Sequence, residues 1–303
     1  ASNYVPSAPK RNSADTYESS LKNNALGYGF LGISNQITPW LSLFYGYTYL
    51  NTSATKYTFE KQGTSIKSQI DTTIADISIN QHQFYMNPRF RIAKGLYLST
   101  YFHKINSKSI IQNNSSSSDT TIVFRDGILG LGLEKYYRNF VFFGEISNNR
   151  LHNANHLQTQ IGATWFPFSN LNFYLGTTLG INKSNPDTTN QQNYQRKKTI
   201  YQIKVGGKIS GELWGEANYL GGNFQDSQTG NGFLFFNTPS NYKMMTNVML
   251  MFFFKKVSIS LKYQYASLTG TKTLINNQKN NSQTYTEYSF NQQTITGGLL
   301  WNF

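Results

Sequence analysis

The chain has 303 residues, with 27 Lys or Arg, 14 Asp or Glu and no Cys. The lack of cysteine excludes disulfides, thiolate metal sites and cysteine nucleophiles. No apolar stretch reaches the roughly 18 residues of a membrane-crossing helix; the longest is the run 248–254. Charged residues make up only 14% of the chain, against about a quarter in soluble domains, while Tyr, Phe, Asn, Gln, Ser and Thr are abundant. Such a composition fits strands that turn one side to lipid and the other to water. The net charge of +13 comes without the aromatic-interleaved basic stripe or the motif that nucleic-acid binding needs, so nucleic acid is not an expected partner. The chain opens at Ala1 with neither Met nor a signal peptide and is expected to be a mature, exported form.

Residues 1–24 are weakly patterned, and the 6–9 stretch, with Pro at both ends, looks like a non-strand lead-in. This segment is expected to supply a first strand near 14–21 or an extension into the lumen or periplasm. The region 25–303 then reads as one barrel. Runs alternating apolar and polar residues at period 2 are paired by short turns: 26–34 with 40–51, 80–92 with 96–105, 121–136 with 140–147, 157–165 with 171–181, 198–209 with 212–220, and 243–254 with 257–266, before a last run at 285–303. The clearest is 171–181, where Leu171, Phe173, Leu175, Thr177, Leu179 and Ile181 alternate with smaller or polar residues. Long polar connections at 52–79, 106–120, 148–156, 182–197, 221–242 and 267–284 separate the hairpins. Short turns on one side and long loops on the other are the topology of an all-β, transmembrane, antiparallel up-and-down β-barrel. Parity with a first strand from 1–24 gives fourteen strands, and a miscounted run gives twelve.

Alternation also sorts the two faces. Leu41, Leu43, Tyr45, Tyr47 and Tyr49, Leu129, Leu131 and Leu133, and Val257, Ile259 and Leu261 fall on the expected lipid face. The opposite set is polar and carries both signs of charge: Arg89, Arg91, Lys204, Lys208, Lys262, Glu134, Glu145, Glu212 and Glu216 are the candidate lumen-lining residues. Arg125 and Lys135 break the rule, at expected strand ends. Rings of Lys or Arg in a lumen favour anions. A soluble β-sandwich is the competing fold, but its turns are short at both ends.

Little in the chain points to catalysis. His152 and His156 stand four apart in a predicted loop or strand, where that spacing makes no metal site. His82 and His103 fall on neighbouring runs and are expected to approach each other. Glu134 and Glu145 are expected on paired strands; paired carboxylates can run acid/base chemistry, but Lys or Arg counter-ions are the expected partners here. No metal, phosphate-loop or nucleophile motif occurs, so neither cofactor, metal site nor enzymatic activity is expected.

The C-terminal sequence Thr-Ile-Thr-Gly-Gly-Leu-Leu-Trp-Asn-Phe closes with Thr296, Gly298, Trp301 and Phe303 at positions that resemble the C-terminal β-signal of Gram-negative outer-membrane β-barrels. That resemblance implies insertion by the barrel assembly machinery, contact with outer-membrane lipid and lipopolysaccharide, periplasmic termini and extracellular long loops. The Asn-, Lys-, Tyr- and Phe-rich composition resembles barrels from Bacteroidota. The phospholipase-type motif fails at 146–150, where Glu145 stands in place of the needed histidine. The functions that follow are a porin-like channel for small polar or anionic solutes or, alternatively, a non-enzymatic barrel subunit of an envelope complex bound to other envelope proteins.

Overall fold

The computed structural model describes residues 18–62, 69–113, 119–151, 154–186, 197–236, 241–276 and 282–301, and these contain no helix. In chain order the strands are β1 (Glu18–Thr38), β2 (Leu41–Gln62), β3 (Gln69–Ala93), β4 (Leu96–Asn113), β5 (Thr120–Tyr137), β6 (Phe140–Leu151), β7 (Ala154–Trp165), β8 (Phe173–Pro186), β9 (Lys197–Ser210), β10 (Leu213–Gly222), β11 (Ser227–Thr229), β12 (Leu234–Phe236), β13 (Asn241–Phe253), β14 (Val257–Asn276) and β15 (Ser282–Trp301). Thirteen of them form one sheet in which neighbours in sequence are neighbours in space, while β11 and β12 make a separate hairpin. Every ladder in the sheet is antiparallel.

The sheet rolls up as an up-and-down barrel. Cα atoms of β1 come within 8 Å of those of β14, and the β11–β12 hairpin touches walls on opposite sides. Among the described residues no ladder joins β1 to β15. Both of these edge strands run from the long-connection end to the tight-turn end, so Glu18 and Trp301 stand at opposite ends of the sheet. The strand count differs from expectation for a local reason. Residues 21–26 contain no Pro or Gly to end a strand, and a register shift between Asn23 and Ala25 absorbs one residue while the ladder with β2 continues to Glu18↔Phe59. Glu18 to Leu21 are therefore the start of β1 and not part of a separate strand; residues 1–17 lie outside the described set.

The long polar connections are also more regular than their composition indicates. The 52–79 stretch is mostly ladder: β2 and β3 pair as far as Gln62↔Gln69. In this stretch both faces of the ribbon carry mostly polar residues, so the period-2 contrast fades while the backbone keeps pairing.

Side chains divide as period 2 demands. On one side, large apolar residues lie bare to the outside, among them Ile161 (66% exposed), Leu179 (57%), Ile203 (51%), Leu261 (51%) and Ile295 (73%). On the other, Gln158, Gln160, Asn182, Lys198 and Asn247 are buried. This is an inside-out arrangement relative to a soluble sandwich. Aromatics gather on the outer face near the tight turns: Trp40 stacks on Phe90 with centroids 6.3 Å apart, and Phe140 on Trp165 at 6.5 Å.

Candidate functional site: the lumen and its inward hairpin

The 221–242 connection does not extend outward. Its β11–β12 hairpin, paired Ser227↔Phe236, Gln228↔Phe235 and Thr229↔Leu234, lies across the lumen. The local sequence accounts for the reversal. Gly230, Asn231 and Gly232 take left-handed φ values of 64°, 54° and 76°, which glycine and asparagine adopt most readily. At Gly232 a Cβ would stand 2.5 Å from the Tyr101 ring, so glycine also permits the close approach.

Both ends of the hairpin are gripped by apolar contacts. At its base, Phe224 and Phe236 pack with Ile200, Leu220, Tyr242, Met245, Ala266 and Leu268 from β9, β10, β13 and β14. At its tip, Phe233 sits edge-on against Phe30, Phe44 and Tyr85 of β1, β2 and β3, with centroids 5.4, 5.9 and 5.2 Å away. Phe235 meets His103 of β4 at 5.2 Å.

Polar contacts fill the span between. Gln228 is fully buried, and its Nε2 lies 2.7 Å from Glu145 Oε1, 2.9 Å from the Tyr101 hydroxyl and 3.3 Å from Ser147 Oγ. Its Oε1 accepts from the Gly232 amide at 2.7 Å, capping the turn of its own hairpin. Its backbone N–H donates to Gln158 Oε1 at 2.9 Å, and its backbone oxygen accepts from Gln158 and Gln160 at 2.7 Å each. Asn182 Nδ2 donates to the Asp226 carbonyl at 2.8 Å and to Ser227 Oγ at 2.9 Å. Lys198, 2% exposed, reaches Asp226 at 3.2 Å and the Gln225 carbonyl at 3.1 Å. Tyr85 donates to the Asn231 carbonyl and His103 Nδ1 to the Gly232 carbonyl, each at 2.8 Å. A backbone strand buried in a lumen needs partners for its free edge, and these wall side chains supply them.

Toward the tight turns a cavity of about 450 Å³ opens below the hairpin. Its wall brings together five of the nine candidate lumen residues: Lys204, Lys262, Glu134, Glu145 and Glu216. Arg89 joins them through Glu134, at 2.6 Å. The guanidinium carbon of Arg89 lies 4.1 Å from the centre of the Tyr97 ring, and its Nη2 donates to the Tyr136 hydroxyl at 3.1 Å. Tyr174 donates to Glu216, and Lys204 Nζ sits 5.9 Å from the Tyr174 ring centre. Three cations therefore face three carboxylates. Arg91 and Lys208 are exposed at the tight-turn mouth, and Glu212 lies in the turn between β9 and β10 instead of on a strand. The turn falls there because Ser210 and Gly211 end the β9 ladder before Leu213 begins β10.

The histidines separate. His82 and His103 are on adjacent strands but opposite faces: His82 points outward to the Tyr47 hydroxyl at 2.5 Å, while Nε2 of His103 points inward, 3.1 Å from Gln83. His156 is a buried β7 residue bonded to Ser184 at 2.9 Å and not a loop residue, and His152 lies outside the described residues. Among the described residues no three His, Asp or Glu side chains gather as a metal site. Thr296 and Gly298 pair with Lys262 and Ser260 on the inner face, Trp301 pairs with Val257 on the outer face, and Phe303 lies outside the described residues.

Gln228, Asp226, Asn182, Gln158 and Gln160 were not singled out from sequence. The available clue was Thr-Gly-Asn-Gly at 229–232, a hairpin turn followed by Phe-Leu-Phe-Phe at 233–236, an apolar run out of place in a polar loop.

No protein-family model matches the chain, nor does any curated protein. Among solved structures, the chain is similar to the ferric-catecholate import receptor Fiu from E. coli K12, at 11% identity and a TM-score of 0.43, over 93% of this chain and 45% of that one. It is similar to BauA, the ferric preacinetobactin receptor from Acinetobacter baumannii, at 8% identity and a TM-score of 0.40, over 96% and 60%. It is also similar to CdiB from Acinetobacter baumannii, at 12% identity and a TM-score of 0.39, over 94% and 60%. The chain thus spans less than two thirds of the length of each of these structures.

Proposed function

We propose that this chain is an integral outer-membrane β-barrel whose lumen is a constricted, porin-like channel for small polar solutes. The observation that carries the reading is the division of faces: apolar residues stand more than half exposed on the outside while amides, a lysine and carboxylates are buried inside. Burying apolar area is worth about 25 cal/mol per Å², so leaving this band in water would be strongly unfavourable, and lipid is the solvent that suits it. The β11–β12 hairpin is the constriction. The chamber beneath it sorts solutes with three positive and three negative side chains. Exposed Arg91 and Lys208 give the tight-turn mouth a positive bias that favours anion entry.

In this reading the tight turns and the C-terminus face the periplasm and the long ladders face outward. The last strand, through Thr296, Gly298, Trp301 and Phe303, is what the barrel assembly machinery reads. We read the function as non-enzymatic, and the engagement of Glu134 by Arg89 and of Glu145 by Gln228 supports that reading. Purified protein reconstituted into planar bilayers should give discrete conductance steps smaller than those of an open barrel of this circumference. Electrically silent bilayers with protein inserted would overturn the channel. A chain that stayed monodisperse without detergent would overturn the barrel itself.

A further inference from the structure

A cluster of cations on the outer wall has no role in the lumen. Three successive outward rungs start on β2, the first reaching β6 and the other two β5. Tyr47, Phe84, Lys104, Gly127 and Arg150 are aligned on the first, Tyr49, His82, Asn106 and Arg125 on the second, and Asn51, Asn80, Lys108 and Val123 on the third. Lys104, Lys108, Arg125 and Arg150 are all exposed. No carboxylate stands on these rungs, and none of the four cations makes an ion pair among the described residues. Neighbouring strands are about 4.8 Å apart, so Lys104 and Arg150 are separated by roughly 10 Å, with Arg125 on the strand between them. Four like charges at that spacing repel one another unless an anion sits among them.

Their height is informative. The rung below holds Tyr45, Met86, Phe102 and Leu129, which are apolar or aromatic, with Asn148 at its β6 end. From Leu96 at the tight turn to Lys104 is about 26 Å along the strand, or about 20 Å along the barrel axis at the usual tilt, so Lys104 and Arg150 stand just inside a transmembrane apolar band of about 25 Å, with Arg125 and Lys108 one and two rungs higher. The four cations therefore straddle the upper border of the band, Arg125 and Lys108 at headgroup level and Lys104 and Arg150 just beneath it. Lys104 and Arg150, at the border, reach headgroup level by their long stems. Beside them the Tyr47 hydroxyl and His82 imidazole are bonded to each other, and Asn51 and Tyr49 both donate to Asn80, at 2.8 and 3.2 Å. The patch is thus an ordered surface with additional polar groups. Arg and Lys bind phosphate oxygens by short, charge-assisted bonds, and basic surfaces at headgroup level recognise anionic lipids.

We infer that this patch binds the phosphorylated headgroup of an anionic glycolipid in the outer leaflet. It rests on the barrel reading only in taking the outward face to be the lipid face. The test uses the purified protein in detergent, incubated with diphosphoryl lipid A or with the same lipid dephosphorylated, and reads bound lipid by native mass spectrometry. Wild type should retain diphosphoryl lipid A at least tenfold better than the dephosphorylated form. K104Q/R125Q/R150Q should lose at least tenfold, while K183Q/K197Q, which removes an outward cation pair on β8 and β9, should bind as wild type. Equal binding of the two lipids overturns the proposal, as does unaltered binding by the triple variant. Displacement of the lipid by equimolar inorganic phosphate makes this a free-anion site and also overturns it. If the triple variant fails to fold, as judged by heat-modifiable gel mobility, the comparison of the two lipids on wild type decides alone. Indifference to lipid phosphate in a detergent-requiring protein removes this site and leaves the channel reading standing, since conductance does not depend on these residues.

Discussion

Gln228 and Glu145 meet at 2.7 Å in the centre of the lumen although 83 residues separate them along the chain. One belongs to the hairpin and the other to the wall. The carboxamide donates to a buried carboxylate, and hydrogen bonds to charged groups contribute about 1.5–3 kcal/mol each. The same side chain caps its own turn through Gly232. Gln228 therefore couples the shape of the hairpin to its attachment.

Gln228→Ala should release the middle of the hairpin. Losing the bonds to Glu145, Tyr101 and Gly232 weakens the attachment by about 2–4 kcal/mol, while the phenylalanine contacts at each end remain. Single-channel recordings should show larger and noisier steps, and protease should cut within 223–236 faster than in wild type. Identical conductance and proteolysis would contradict the hairpin's role as the constriction.

Gly232→Val should have a similar effect by a different route. The new side chain would press on the Tyr101 ring, 2.5 Å from the position of its Cβ, at a φ of +76° that β-branched residues avoid. Left-handed strain costs about 1–3 kcal/mol, and the overlap adds to it. The barrel itself should still assemble, so gel mobility should be unchanged while conductance rises. Unaltered recordings from the correctly assembled variant would count against the tight packing of this turn.

Reversing the chamber cations should change ion selectivity. K204E/K262E turns a balanced set of three cations and three carboxylates into one with a strong negative excess. The reversal potential under a salt gradient should move toward cation preference, and the change should shrink at high ionic strength, where the Debye length falls to about 3 Å. E216Q should shift it the opposite way. If neither variant moves the reversal potential, ions do not pass through this chamber.

Because the chain has no cysteine, single cysteines report the solvent at each position without background. Thr178→Cys and Gln202→Cys, on the inner face, should react with a small charged thiol reagent in liposomes. Leu179→Cys and Ile203→Cys, one residue further on, should not. Leu179→Lys should in addition destabilise the folded barrel by about 2–4 kcal/mol in urea titrations from vesicles, the cost of a lysine near the bilayer midplane. Labelling without a period of 2 would remove the two-solvent architecture.

The parts of the molecule that were legible in the sequence are those where each face of a strand meets one uniform solvent. The 171–181 run is the clearest case, and β8 from Phe173 onward follows it. Legibility failed where both faces of a ribbon are mostly polar: the ladders of β2 with β3 and β14 with β15 continue through stretches that read as loops. The site was legible in part. Lys204, Lys262, Glu134, Glu145 and Glu216 could be placed on the inner face by parity alone, and they do converge. Glu212 could not, since one residue more in the turn takes it off the strand. Gln228 and Lys198 gain their importance from partners on distant strands, which only the curl of the sheet brings within reach. Lys104 falls on the outward face by parity, and its place in a cluster depends on Arg125 and Arg150 of the neighbouring strands, which pairing alone brings beside it.

The β2–β3 ladder outlasts any bilayer. β3 alone has 25 residues, about 80 Å of extended chain, whereas a tilted strand needs only about 9–11 residues to cross the hydrocarbon. The surplus continues past the apolar band as paired strands, flanked by β1 as far as Glu18↔Phe59 and by β4 as far as Ala75↔Asn113, and stiffened by their backbone bonds. In the proposed orientation, an epitope inserted after Gln62 would be carried on this stiff extension away from the membrane surface instead of lying flat on it.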